Sequence, residues 1–200
     1  VTDDSFTRYS TGIKAVAGIF MWLGAVSFAS LYFLFTGRLK QLRRSTDVWS
    51  LVVWTGILFG AFGLAAWVRS AKDGGDSIFN VASAISTCGV SSGNLAEFAV
   101  TSIWLLIVAM FIGGCGDSTA GGIKIGRAVW MLKATRWELR KNLGSRAELG
   151  PRWNGQQIDP ADAAQRSNRT LVLLFAFLSS LAIGFLGLRL AYADSIASDR

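Results

Sequence analysis

The sequence predicts an all-α integral membrane protein, and three observations carry that reading. First, 52% of the 200 residues are hydrophobic and only 16% are charged, against roughly 25% charged in an ordinary soluble domain. The mean hydropathy is +0.41. A small soluble domain cannot hide that much apolar surface. Second, four stretches carry no charge: Ala15–Thr36, Val48–Val68, Phe98–Gly116 and Thr170–Leu188. Each runs about 19–22 residues, enough at 1.5 Å per residue to cross a hydrocarbon core of about 30 Å. Third, Lys and Arg cluster in some connecting segments and are sparse in others. The composition excludes disorder and argues against a soluble enzyme. There is no His, the commonest general base. Two Cys leave no disulfide framework and no convincing zinc ligand set. The net charge of +7 is read through its distribution, and no nucleic-acid partner is expected.

That distribution orients the spans. Arg38, Lys40, Arg43 and Arg44 follow the first span, and ten cations lie from Lys124 to Arg169. Between Arg69 and Glu97 only Arg69 and Lys72 are basic. The positive-inside rule makes the first two segments cytoplasmic and the third external, with the N-terminus outside. Val1–Lys14 lacks a signal-peptide pattern and reads as the tail of something before it. The chain is therefore expected to be a fragment, one piece of a split protein, or a remnant.

A fifth uncharged run, 77–96, is different. Its first half fits a short amphipathic helix with Ile78, Val81, Ala82 and Ile85 on one side. Its second half is rich in Thr, Ser, Gly and Asn, groups that are costly to leave in lipid. A re-entrant segment, buried in protein or lining a wet cavity, is cheaper. Residues 48–116 thus read as span, re-entrant segment and span. Ala15–Thr36 would close an earlier copy of that unit, and Thr170–Leu188 would open a later one. Trp130–Arg146 is basic with interleaved Trp, Met and Leu, an amphipathic helix or a solvated helix end. Residues 150–168 contain Pro151, Asn154, Gly155 and Pro160 and read as a connector in which Asp159–Pro160 opens a short helix.

Two segments carry chemistry. Thr87, Cys88, Gly89 and Val90 follow the short re-entrant helix. A cation filter needs an extended chain whose carbonyls replace the ion's hydration shell. Gly89 permits dihedrals other residues resist, and the C-terminal end of the preceding helix favours a cation. The alternative is a plain turn in an outer loop. The second segment is Gly113-Gly114-Cys115-Gly116-Asp117-Ser118-Thr119-Ala120-Gly121-Gly122-Ile123-Lys124. Five glycines here will not hold a regular helix, since each costs about 1 kcal/mol against Ala. A broken helix in a membrane belongs beside a cavity or inside protein, which makes this loop a candidate gate below the filter. Close packing of small residues between spans is the alternative. Asp117 and Lys124 bracket the loop and are placed to pair with each other or with backbone. A phosphate loop fails, because Gly122-Ile123 separates Gly121 from Lys124 and no Ser or Thr follows. Cys88 and Cys115 read as small apolar fillers.

The block MFIGGCGDSTAGGIKIGR (Met110–Arg127) closely resembles the signature of the Trk/Ktr/HKT superfamily of potassium transporters, usually found as GGCAGSTAGGIK. Gly116-Asp117 stands where Ala-Gly is more familiar. FNVASAISTCGVSSGN (Phe79–Asn94) resembles that family's third pore helix and filter, with Cys88 and Val90 replacing the commoner Thr and Phe. Ile19–Gly37 resembles the closing span of the second repeat. The resemblance implies a K+-channel-like pore of four repeats about a pseudo-fourfold axis. Residues 1–45 would end repeat two with a cytoplasmic loop. Residues 46–147 would form repeat three, with spans 48–68 and 98–116, re-entrant 77–96 and gate loop 113–124. Residues 148–169 would be a cytoplasmic connector, and 170–200 the first span of repeat four. Carried over by position, Thr87, Cys88, Gly89 and Val90 would offer carbonyls, with K+ at Thr87, Cys88 and Gly89. Gly113, Gly114, Gly116, Asp117, Ser118, Thr119, Gly121, Gly122 and Lys124 would form the gate loop.

The resemblance further implies a multi-pass protein of the cell's inner (plasma) membrane. It implies a homodimer, remaining pore repeats on the same or a separate chain, and a cytoplasmic nucleotide-binding regulatory subunit (TrkA-like), to which the basic stretch Lys133–Arg146 would offer a contact. No bound cofactor is expected, only K+ as the transported ion, and no enzymatic activity. The alternatives are a non-conducting membrane scaffold or remnant subunit, and a Na+-selective transporter of the same family.

Overall fold

The computed structural model describes residues 6, 8–69, 74–93, 98–143 and 150–198. Expectations for Lys72, Asn94, Glu97 and Arg146 fall outside these residues. The described chain folds as α1 (Thr11–Ala25), α2 (Phe28–Phe35), α3 (Leu39–Arg44), α4 (Thr46–Arg69), α5 (Gly74–Ser86), α6 (Val100–Ile112), α7 (Ile125–Asn142) and α8 (Pro160–Ser198). A two-residue-per-strand hairpin, β1 (Arg152–Trp153) and β2 (Gln156–Gln157), precedes α8.

Charge-free sequence gives long helices where nothing interrupts it. The run Val48–Val68 lies within α4, and Thr170–Leu188 lies within α8, which is 39 residues long. By length and composition these two helices suffice to cross a membrane. The Pro160 helix is not short. It opens α8 at a position where proline's missing N–H costs nothing, and it runs on through the expected connector boundary at Arg169.

The other two runs are broken. Ala15–Thr36 is not one straight span: α1 and α2 meet at 107°, with Val26 and Ser27 between them. Phe98–Gly116 is helical only over the 13 residues of α6, about 20 Å at the usual rise. Its glycines then turn the chain into an irregular loop.

The main core lies around α5. Residues Phe79 through Ser86 are all buried, with α1, α4 and α6 packed against the helix. Leu51, Leu58 and Phe62 of α4 and Ala109 of α6 contribute to the same core. The expected apolar face is only partly realised, because Ile78 is exposed and burial of 79–86 runs all round the helix. A smaller core ties α7 to α8. Trp130 and Trp153 meet edge-on at 5.7 Å, and the Arg166 guanidinium lies 4.5 Å and 4.3 Å from their ring centres. Such cation–π contacts add roughly 1–2 kcal/mol each when partly desolvated. Asn154 of the hairpin accepts from Thr46 N at 2.9 Å and donates to Thr46 Oγ1 at 3.1 Å, fixing the start of α4.

Candidate ion filter and gate loop

Helix α5 ends at Ser86 and delivers the chain to Thr87. The next residues are not helical, and two of them take left-handed backbone: Thr87 at φ 57° and Gly89 at φ 71°. For Gly89 this is free of steric cost. For a β-branched Thr it is not, so the surroundings must hold it. They do so chiefly through α5 itself. Thr87 N donates to Ala84 O (3.1 Å) and Cys88 N to Ser83 O (3.1 Å). Val90 N donates to Ser83 Oγ at 3.0 Å. Asn80 clasps the returning chain with both ends of its amide, Nδ2 to Ser92 O and Ser92 N to Oδ1, each at 2.8 Å. Phe6 N adds a bond to Ser91 O (3.1 Å). Cys88 and Gly89 are left exposed, so Cys88 is no core filler. Cys115 is buried.

The gate-loop segment is held by different means. Its glycines admit backbone where no side chain fits. A Cβ built on Gly113, whose φ is 70°, overlaps the Gly121 carbonyl oxygen. One on Gly114 comes 2.7 Å from Ala25 O, and one on Gly122 comes 2.8 Å from Met110 O. The loop turns back on α6, where Ile123 N and Lys124 N donate to Phe111 O and Ile112 O, each at 2.9 Å. It also fills the elbow between α1 and α2. Cys115 N donates to Ala25 O (2.9 Å), Thr119 N to Gly24 O (3.2 Å), and Phe28 N to Asp117 O (3.1 Å). Thr119 Oγ1 donates to Gly24 O at 2.9 Å. These are the backbone groups that a helix break orphans. The α1–α2 bend and the loop therefore satisfy one another.

Lys124 chooses backbone over Asp117. Its Nζ donates to Ser118 O at 3.1 Å and also to Ala120 O, so a tethered cation sits on loop carbonyls. Ser118 Oγ donates to Cys115 O (2.7 Å). Gly116, Asp117, Thr119 and Gly121 are exposed. A hydrogen bond joins the two segments: Gly121 N donates to Thr87 Oγ1 at 2.6 Å.

Three contributors escape a reading of motifs. Asn80 and Ser83 look like ordinary polar residues of a helix, yet both are buried and bond to the chain that leaves Thr87. Their three-residue spacing, continued by Ser86, was a usable signal. Asp47 sits where its carbonyl takes the Cys115 thiol at 3.6 Å. Its carboxylate fills the space a side chain at Gly126 would need. Asp47 Oδ1 is buried without a hydrogen-bond partner. It adjoins the start of α7, where the positive end of a helix dipole favours negative charge.

A family model described as TrkH, cation transport protein, matches residues 66–191. The chain belongs to this family. TrkH-family members are transporters rather than enzymes, and the family together with the apolar helices makes this a membrane protein. Among curated relatives, an uncharacterized cation transporter of Methanocaldococcus jannaschii is 28% identical over 96% of this chain and 39% of its own length. The Trk system potassium uptake protein TrkH of Salmonella typhimurium is 26% identical over 92% of this chain and 40% of its own. The chain thus spans about two fifths of the relatives it matches. The crystal structure of the potassium transporter TrkH from Vibrio parahaemolyticus superposes with a TM-score of 0.75 at 21% identity, over 92% of this chain and 40% of that one. That likeness establishes the all-α membrane fold.

Proposed function

We propose that this chain supplies one complete pore repeat of a Trk-type potassium uptake system, residues 46–147, with the end of a preceding repeat before it and the first span of another after residue 169. The carbonyls of Thr87, Cys88, Gly89 and Val90 take a dehydrated K+ ion, and Gly113–Lys124 is the gate beneath them. One observation carries the reading: a short buried helix ends on a chain with left-handed Thr87 and Gly89, and a glycine loop packs directly against it at Thr87. The C-terminal end of α5 supplies partial negative charge where a cation would rest. The names of relatives such as the Salmonella potassium uptake protein favour K+ over Na+.

The exposed edge at Cys88 and Gly89 is then the side facing the other repeats, on the same or a separate chain. One repeat cannot encircle an ion, so conduction belongs to the whole assembly, a homodimer spanning the inner membrane several times. The cations of α7, among them Lys133, Arg136 and Arg140, face the cytoplasm and offer a contact for a nucleotide-binding regulatory subunit.

The test is Gly89→Asp in the complete transporter, expressed in a host that depends on it for K+. The side chain is disfavoured at φ 71°, and its carboxylate would hold an ion in the path. Growth on low K+ should be abolished. Undiminished growth would leave the scaffold reading in its place.

A further inference from the structure

Thr87 has a side chain as well as a carbonyl, and the side chain is committed. Its hydroxyl has one proton and two lone pairs. The proton goes to Ser86 O at 2.7 Å, and a lone pair takes the Gly121 N–H at 2.6 Å. Gly121 is the point of the gate loop that can come this close: a Cβ there would stand 3.0 Å from Thr87 Oγ1 and 3.6 Å from Thr87 Cβ. The flanking parts of the loop are anchored elsewhere. Cys115 and Thr119 bond to the α1–α2 elbow, and Ile123 and Lys124 bond to α6. Gly121 therefore hangs between two fixed ends, with the filter foot as its own partner. At the other end of that bond, Thr87 holds a left-handed backbone that a β-branched residue adopts only when its surroundings enforce it.

We propose that Thr87 is a positioning residue whose hydroxyl latches the gate loop to the foot of the filter, so that displacement of the loop and relaxation of the filter's first residue are one event. This rests on the reading of 87–90 as filter and 113–124 as gate. Opening must break the Gly121–Thr87 bond. The same step releases the contact that helps hold Thr87 at positive φ. A loop that moved independently of the filter would show no such dependence.

The experiment uses the complete transporter in nanodiscs and reads amide hydrogen exchange of the segment 116–123, alongside Rb+ efflux under resting conditions. Thr87→Val keeps the branched shape and removes the acceptor. Thr87→Ser keeps the acceptor. Loss of one bond of ordinary net strength corresponds to about a 3–10-fold change in a local opening equilibrium. Thr87→Val should raise exchange in 116–123 by about that factor and raise resting efflux, while exchange in 116–123 of Thr87→Ser stays near wild type. Wild-type exchange in Thr87→Val, or equal exchange in the two variants, overturns the latch. If Thr87→Val does not fold, Gly121→Ala replaces it. Its new methyl crowds Thr87 Oγ1, so faster exchange supports the latch and unchanged exchange refutes it. Exchange does not depend on the cargo. A wild-type assembly that carries neither Rb+ nor K+ would sink the transport reading while the exchange comparison still decides the latch.

Discussion

The proposed filter chain after Thr87 and the proposed gate loop 113–124 meet at Gly121 and Thr87 yet are built on opposite principles. The filter is held by side chains reaching to backbone from its own helix. Asn80 is 12 residues from Ser92, and Ser83 is 7 residues from Val90. The loop is held largely by backbone meeting backbone, aided by the side chains of Ser118, Thr119 and Lys124. It is joined to Gly24 through Thr119, 95 residues away, and to Ala25 and Phe28 through neighbouring amides and carbonyls. What matters in the filter support is the presence of particular atoms. What matters in the loop is their absence, because Gly113, Gly114 and Gly122 stand where any Cβ would strike backbone. Removing atoms should therefore harm the filter, and adding atoms should harm the loop.

The largest effect should come from addition. Gly113→Ala must place a methyl group against the Gly121 carbonyl while holding φ at 70°. Backbone strain and overpacking together should cost roughly 2–5 kcal/mol. Gly116→Ala is the matched control: its nearest neighbour would be Asp47 Oδ2 at 3.9 Å, and the change should stay within about 0.5 kcal/mol. Thermal unfolding of the purified transporter in detergent measures both. Equal losses would show that the loop is sensitive to any substitution and that close approach is not what its glycines provide.

Next comes subtraction at the filter. Asn80→Ala removes two hydrogen bonds to Ser92, a residue with no exposed surface. Water has poor access there, so the loss should be about 2–3 kcal/mol. Discrimination of Rb+ from Na+ should fall, because the returning chain sets where the carbonyls of 88–90 stand. Exchange in 116–123 should hardly change. A variant with intact discrimination and a loosened loop would reverse the comparison.

The same contrast explains what could be read from the sequence. The α4 and α8 helices were legible because an uninterrupted apolar run has one low-energy conformation in lipid. The glycine block announced an irregular loop for an equally local reason. The elbow at Val26–Ser27 was not legible. Neither elbow residue is Gly or Pro, Gly24 lies inside the last turn of α1, and the broken hydrogen bonds are repaired by Cys115, Asp117 and Thr119, which are distant in sequence. The positions 87–90 were singled out by a triplet and its setting. Their support by Asn80 and Ser83 leaves no trace in the apolar periodicity of α5. In a helix buried all round, the polar residues were the informative ones.

The smallest expected effect sharpens the point about water. Ser83→Ala deletes the single bond from Val90 N to Ser83 Oγ. Val90 is only partly buried, so water can replace the lost acceptor in a way it cannot at Ser92. Ser83 O, which accepts from Cys88 N, is backbone and survives the substitution. The loss should be about 0.5–1 kcal/mol, less than half that of Asn80→Ala, with a correspondingly minor shift in the Rb+/Na+ flux ratio. The double variant should depart from the sum, since the two side chains lie one helical turn apart and grip the same short stretch of chain. A Ser83→Ala variant more damaged than Asn80→Ala would mean that the chain leaving Gly89 is gripped chiefly at Val90. The buried clasp at Ser92 would then be secondary, and the filter's support would lie nearer its open edge.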